Sequence, residues 1–329
     1  MGIKFSDFPI NGIDVSEYNG VIDWNKVKCN FASVRVGYGK TIDYKFKVNW
    51  AASKGKVKRY PYWYMDYYSN HIAGNAVNGV SDSEWGKRQA QTCWNAIKSD
   101  PEGIVFLDIE STNGSYAPKI QEVQSRVHRI ARAFLEEIDR LSGKKNGMYL
   151  PVGWLSWYTD WFRDRPLWVA WYPYRTANIS TMSIVQMVID KGWKTKPLFW
   201  QYASDGDLDD NGTSDGRSMG MKSTTLDLNG WVATQADYLA LFGTQNPPDD
   251  EVIVIPPVTN TRVIQIKESI RTLTLRKKPE VSWLTKINIY PAGVKFDCLE
   301  EKIVDGNIWQ RVGINQYVAD VYDGEKYLK

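Results

Sequence analysis

The stretch Ile104-Val105-Phe106-Leu107-Asp108-Ile109-Glu110 decides how this chain folds. Four apolar residues in a row suit a strand buried on both faces, as in a parallel sheet covered by helices. The run ends in two carboxylates two residues apart. In a strand such residues share a face and lie roughly 6–7 Å apart. In barrels of alternating strands and helices, reactive groups sit at the C-terminal strand ends. The same pattern also suits a strand that ends in solvated acids or a salt bridge.

Other β-rich runs flank Gly103–Glu110: Gly12–Glu17, Phe31–Gly39 and Val57–Asp66 before it, and Gly147–Trp154, Leu167–Tyr172, Pro197–Ala203 and Thr224–Trp231 after it. A helix over Lys119–Leu141 follows from apolar residues at 3.6-residue spacing, with Gly143 placed to stop it. A second helix follows Ser81, where Glu84 completes a capping-box pattern. Eight runs with intervening helices over about 240 residues predict an α/β fold, an irregular (β/α) barrel. A doubly wound open sheet is the alternative. Gly37-Tyr38-Gly39 is too short for a dinucleotide fingerprint.

Beyond this region, GTQNPPDDEVIVIPPVTN (243–260) carries two Pro-Pro pairs and an acidic cluster, which reads as an extended spacer. Short β-like runs then follow at Leu273–Arg276, Lys295–Leu299, Trp309–Val312 and Tyr317–Val321. They are punctuated by Pro291-Ala292-Gly293 and Asp305-Gly306-Asn307, which suggests a small all-β barrel. The expected division is therefore 1–243, 244–260 and 261–329.

Composition narrows the function classes. Of 41 basic and 38 acidic residues, 12 and 9 fall in 261–329, leaving 29 of each before it. The larger part is neutral and the tail carries the whole +3, which gives no support for a nucleic-acid binder. No apolar run approaches the ~18 residues of a membrane helix. Cys29, Cys93 and Cys298 are too few and too scattered for a disulfide framework. Two histidines, His71 and His128, leave little material for a Ser-His-Asp triad. The N-terminal residues lack the apolar core of a secretory signal.

The remaining candidates are carboxylates and aromatics. Asp14 interrupts the first β-run and Asp227 alternates with Leu226 and Leu228 in the last. Each also suits a turn or cap. In a closed barrel those two runs are neighbours, so Asp14, Asp108, Glu110 and Asp227 would converge at one mouth. Mutual repulsion there raises at least one pKa. Glycosidic cleavage needs such a set, with one acid holding a proton and another staying ionised. Tyr and Trp cluster near strand ends, where they serve as core or as platforms for sugar rings. The D-x-D-x-N-G run Asp207, Asp209, Asn211 and Gly212, with Asp215 beyond, resembles the start of a calcium loop. Its twelfth position is Ser218, and a polar turn is the alternative.

GIDVSEYNG (12–20), FLDIE (106–110), LWVAWY (167–172), FWQYAS (199–204) and LDLN (226–229) occur in one order across about three-quarters of the chain. Together they resemble the family 25 glycoside hydrolases, the lysozyme-type N-acetylmuramidases common among phage endolysins. The resemblance implies a flattened barrel with an acidic groove. It also implies cleavage between N-acetylmuramic acid and N-acetylglucosamine of bacterial peptidoglycan. Glu110 then matches the general acid, Asp108 its partner, and Asp14 and Asp227 the other groove acids. Tyr62, Trp63, Trp168 and Gln201 match substrate-contacting positions, although many members differ at Trp63. No cofactor is implied for catalysis, and calcium would be structural. Tyr174–Lys196 and Ala203–Ser223 look longer than usual. The tail resembles a bacterial SH3-like domain, which implies wall binding. The missing signal fits an endolysin held in the host cytoplasm until lysis. A family 18-type chitinase or endo-β-N-acetylglucosaminidase and a non-catalytic wall binder are the rival readings.

Overall fold

The computed structural model describes residues 3–111, 118–173 and 181–242, and then 265–268, 273–276, 286–290, 295–298, 300–304, 307–313, 316–322 and 325–329. The chain forms two compact units, Met1–Ala177 with Val185–Pro248, and Asn178–Ile184 with Asp249–Lys329.

The first unit is built on nine strands: β1 (Asn11–Val15), β2 (Phe31–Tyr38), β3 (Thr41–Ile42), β4 (Lys58–Tyr64), β5 (Phe106–Asp108), β6 (Gly147–Pro151), β7 (Leu167–Ala170), β8 (Phe199–Ala203) and β9 (Asp227–Trp231). Eight of them close a ring, β1-β2-β4-β5-β6-β7-β8-β9 and back to β1, and β3 folds back on β2 as a short hairpin. The pairs from β1 through β8 around the β2 side are parallel, whereas β9 runs antiparallel to both β8 and β1. A barrel rather than an open sheet is therefore the observed form.

The irregular closure has a local cause. A parallel return needs a crossover, usually helical. Helices α1 (Phe46–Ser53), α2 (Asp82–Ile97), α3 (Gln124–Ser142) and α4 (Thr181–Asp190) lie in such crossovers. Residues 204–226 between β8 and β9 form turns and bends without a helix, so the chain re-enters the sheet in the opposite direction. The last helix, α5 (Gln235–Phe242), follows β9.

The sequence patterns account for the outer layer. Ser81 caps α2, its hydroxyl accepting from the Glu84 N–H at 3.3 Å, while the Glu84 carboxylate takes Arg88 at 2.8 Å. α3 buries Val127, Ile130, Phe134, Leu135 and Ile138 on one face and ends at Gly143, φ +68°. The first turn of the expected helix, Ile120–Val123, is a 3₁₀ turn instead. His128 on α3 packs its ring 4.8 Å from Tyr158, a structural role.

The barrel interior is filled by aromatic rings. Tyr60 stacks on Phe199 at 4.6 Å, meets Phe106 at 5.3 Å, and meets Trp168 edge-on at 5.8 Å. Gly12 on β1 makes room for this plug: a Cβ there would lie 2.2 Å from the Phe31 ring. On the outer face of β4, fully buried Arg59 pairs with Glu102 at 2.7 Å and Asp100 at 2.8 Å, its guanidinium 4.2 Å from the Trp50 ring. Among the described residues Cys29, Cys93 and Cys298 form no disulfide.

The second unit is all β. Strand β10 (Gln265–Glu268) pairs with β13 (Lys295–Cys298). A second sheet has the order β12 (Lys286–Tyr290), β11 (Leu273–Arg276), β16 (Gln316–Tyr322), β15 (Asn307–Gly313), β14 (Glu300–Val304), with β17 (Glu325–Lys326) on β16. Every described pairing is antiparallel. Trp309, Val318 and Leu328 are buried here. The expected spacer 244–260 and the turns at 291–293 and 305–306 lie outside the described residues.

Candidate active site

Strand chemistry brings the acids together. Asp14 and Asp227 are direct cross-strand partners where β1 meets β9. Asp108 ends β5, and Glu110 follows two residues on. The strand there is only three residues long, shorter than the run Gly103–Glu110 suggests. The Ile109 N–H still donates to the Tyr149 carbonyl at 3.2 Å and extends the ladder past Asp108. Asp14 and Asp108 are 4% and 5% exposed, so both are carboxyls in a largely dry site.

Asp14 is the best-anchored of the four. Its Oδ2 accepts the Gln201 Nε2–H at 2.8 Å and the Asn229 Nδ2–H at 2.7 Å. Each amide is oriented by donors behind it. The Trp168 indole can only donate, and it donates to Asn229 Oδ1 at 2.8 Å, which turns the Asn229 amino group toward Asp14. Tyr149 (2.7 Å) and Tyr172 donate to Gln201 Oε1, with the same effect. Asp14 also hydrogen-bonds Asp227. Two carboxyl groups can do so only by sharing a proton.

Electrostatics follows from this crowding. Burial pushes Asp14 up to about 6, against the lowering pull of Asn229, Gln201 and Asp227. Burial and then the Asp14 charge push Glu110 up to about 7, with Arg35 pulling the other way. Asp108 is raised well above the usual carboxylate range by burial first, then by Glu110 and Asp14. Its Oδ1 is buried without a hydrogen-bond partner among the described residues. Burial, then Asp14, raises Asp227 as well. The arrangement therefore supplies an acid that is half-protonated near neutrality, beside a buried carboxyl whose ionised form an approaching positive charge would stabilise.

The aromatic candidates divide by strand alternation. Tyr62 points inward from β4, its ring 5.7 Å from Trp168, and it feels the charges of Asp14 and Asp108. Trp63, one residue on, faces the opposite way and is fully buried, with its indole N–H toward Gln89 of α2 at 3.3 Å. It is a core residue and not part of the mouth, because the side-chain period of a strand is two. Trp168 and Gln201, at 1% and 4% exposure, support Asp14 from beneath and do not line an open groove. Asn229, Tyr149 and Arg35 belong to the site although the sequence reading gave them no role, and Tyr172, one of the aromatics near a strand end, joins them. Asn229 shared a strand face with Asp227, and Arg35 was a charge inside an apolar run, so both left a signal.

The loop between β8 and β9 brings Asp207, Asp209 and Asp215 within 4.8 Å of one another. Asp207 accepts the N–H groups of Asn211 (3.0 Å) and Gly212 (2.6 Å), and Asp215 that of Leu208 (3.2 Å). The Asn211 side chain accepts from the Thr213 N–H at 2.8 Å. The two carboxylates thus stabilise a polar turn through backbone donors.

The chain is 26% identical over 224 residues to "Uncharacterized protein YegX" of Escherichia coli O157:H7, covering 64% of this chain and 69% of that one. A family 25 glycosyl hydrolase from Bacillus anthracis superposes with a TM-score of 0.51 at 19% identity, over 74% of this chain and 97% of that one. A bacterial lysozyme from Streptomyces coelicolor superposes with a TM-score of 0.46 at 21% identity, over 71% and 97%. Residues 13–211 match the model of the glycosyl hydrolases family 25, and the chain belongs to that family.

Proposed function

We propose that the protein is a peptidoglycan hydrolase that cleaves the β-1,4 bond between N-acetylmuramic acid and N-acetylglucosamine. The observation that carries this reading is Glu110, raised to about 7 beside a buried Asp108 at the barrel mouth. Protonated Glu110 gives its proton to the leaving glycosidic oxygen. Positive charge then develops at the anomeric carbon. Asp108, whose Oδ1 has no hydrogen-bond partner among the described residues, meets that charge only as the transition state forms, so the interaction is differential. Asp14 keeps negative charge near Glu110 and so holds its proton, while Asp227, raised by burial and by Asp14, shares a proton with Asp14 across the β1–β9 seam.

The chain from 261 to 329 fits a wall-binding module of SH3-like type, joined by the spacer 244–260 to a catalytic barrel over 1–243. Tethering to the wall would raise the barrel's local concentration at its substrate. In the same reading the protein waits in the host bacterial cytoplasm until lysis delivers it to the wall. Mass spectrometry of purified peptidoglycan treated with wild type and Glu110→Gln tests the chemistry. Muramic-acid reducing ends from wild type alone are expected. New glucosamine ends, or equal product from both proteins, would overturn the assignment.

A further inference from the structure

An acid-lined mouth repels the one feature that separates muramic acid from glucosamine, the 3-O-lactyl group with its carbonyl oxygens. Arg35 lies where that conflict would be resolved. It stands near the end of β2, sharing a strand face with Phe31 and Ser33, and Phe31 packs on Phe199 in the barrel interior at 5.0 Å. Its register partner on β4 is Tyr62. Its charge acts on Tyr62, Asp108 and Glu110.

The guanidinium is held from behind. Nε donates to Asp43 Oδ2 at 2.8 Å, and the Glu17 N–H donates to the same oxygen at 3.0 Å. Nη2 stands 3.7 Å from Glu17 Oε1. Among the described residues neither terminal nitrogen makes a hydrogen bond within 3.5 Å. The ring of Tyr18, 77% exposed, lies 5.1 Å from Arg35 Cζ. A partly desolvated cation, held through Nε and with Glu17 at ion-pair distance, thus keeps terminal N–H groups without hydrogen-bond acceptors among the described residues beside an exposed aromatic face.

We propose that Arg35, framed by Tyr18, is the muramic-acid specificity residue: its terminal N–H groups donate to a lactyl oxygen of the substrate. This rests on the muramidase reading. The oxygen is a carboxylate in peptide-free glycan and an amide carbonyl where a stem peptide is attached. Both accept from a guanidinium, and the charged form binds more tightly. Chitin has no such oxygen and gains nothing from Arg35.

Calorimetry in the full-length Glu110→Gln protein tests the idea with three probes: peptide-free (GlcNAc–MurNAc)2, the same tetrasaccharide bearing stem peptides, and chitotetraose. The parent is expected to prefer both muramoyl probes, the peptide-free one most. Adding Arg35→Gln is expected to weaken muramoyl binding about 10- to 100-fold, the range for a hydrogen bond to a charged group. Chitotetraose affinity should stay within about twofold, and Arg35→Lys should recover part of the carboxylate preference. Equal loss on all three probes would show a purely structural role and overturn the proposal. So would a muramoyl preference that survives Arg35→Gln, or a parent without that preference. Wild type digested in parallel separates the two failures: muramic-acid ends with unaltered selectivity refute only the role of Arg35, and absence of those ends refutes the muramidase reading itself.

Discussion

Replacing Glu110 with Gln should abolish hydrolysis and, at neutral pH, make the barrel more stable. Burial and the Asp14 charge raise the Glu110 carboxyl from 4.5 to about 7 in the folded protein. The folded state therefore binds more protons than the unfolded chain between those values, and stability falls as pH rises through that window. Below 4.5 both states are protonated and the penalty is absent. Above 7 it is complete: about 2.5 pKa units at ~1.36 kcal/mol each, or about 3 kcal/mol. Glutamine has nearly the shape of the protonated acid and never ionises, so the variant escapes this cost. Urea unfolding of both proteins at pH 4 and pH 8 reads the difference. Thirteen of the fifteen tryptophans precede residue 243, so fluorescence reports the barrel. The expected gain is near zero at pH 4 and approaches about 3 kcal/mol at pH 8. A gain of the same size at both pH values, or a loss at pH 8, would refute the argument that Glu110 is held protonated by its surroundings.

Hydrolysis should be confined to an acid-to-neutral window: pH rising through about 7 strips the Glu110 proton, and pH falling through about 6 neutralises Asp14, which a pH–rate profile measures as two limbs belonging to the coupled set. Asn229→Leu removes one amide donor from Asp14 and strands the Trp168 indole N–H. At 1.5–3 kcal/mol for a hydrogen bond to a charged group, Asp14 should rise by about 1–2 pKa units, moving the acid limb toward neutrality. Arg59→Met removes the buried cation that Glu102 and Asp100 flank, and thermal or urea unfolding should register a loss on the order of 3 kcal/mol. The Arg59 site is on the outer face of β4, so the position of the pH–rate limbs should not change.

The sequence was most legible where side-chain period and burial agree. All eight runs read as strands are strands, because continuous apolar stretches between turn residues leave few alternatives. The hairpin strand Thr41–Ile42 escaped notice because two residues carry no period. The antiparallel entry of β9 also escaped, since direction depends on what the preceding loop lacks, a crossover helix, and not on the strand itself. The four acids were legible as interruptions of apolar runs. Their supports were less so: Asn229 and Tyr149 look like ordinary strand residues until the ring closes, and Gln201, expected to contact substrate, instead holds Asp14 through its amide. Trp63 shows the cost of reading by motif, because a one-residue step along β4 exchanges the mouth for the α2 interface.

The pairing of β9 with β1 also says something about how the enzyme comes into being. Asp14 meets Asp227 across the last seam of the ring, more than two hundred residues later in the chain. Such distant contacts carry a high loop-closure cost and are slow to form. A growing polypeptide that has not yet reached residue 231 lacks the strand that gives Asp14 its partner and its amide donor Asn229. The four-acid mouth is therefore completed late, with closure of the barrel by β9.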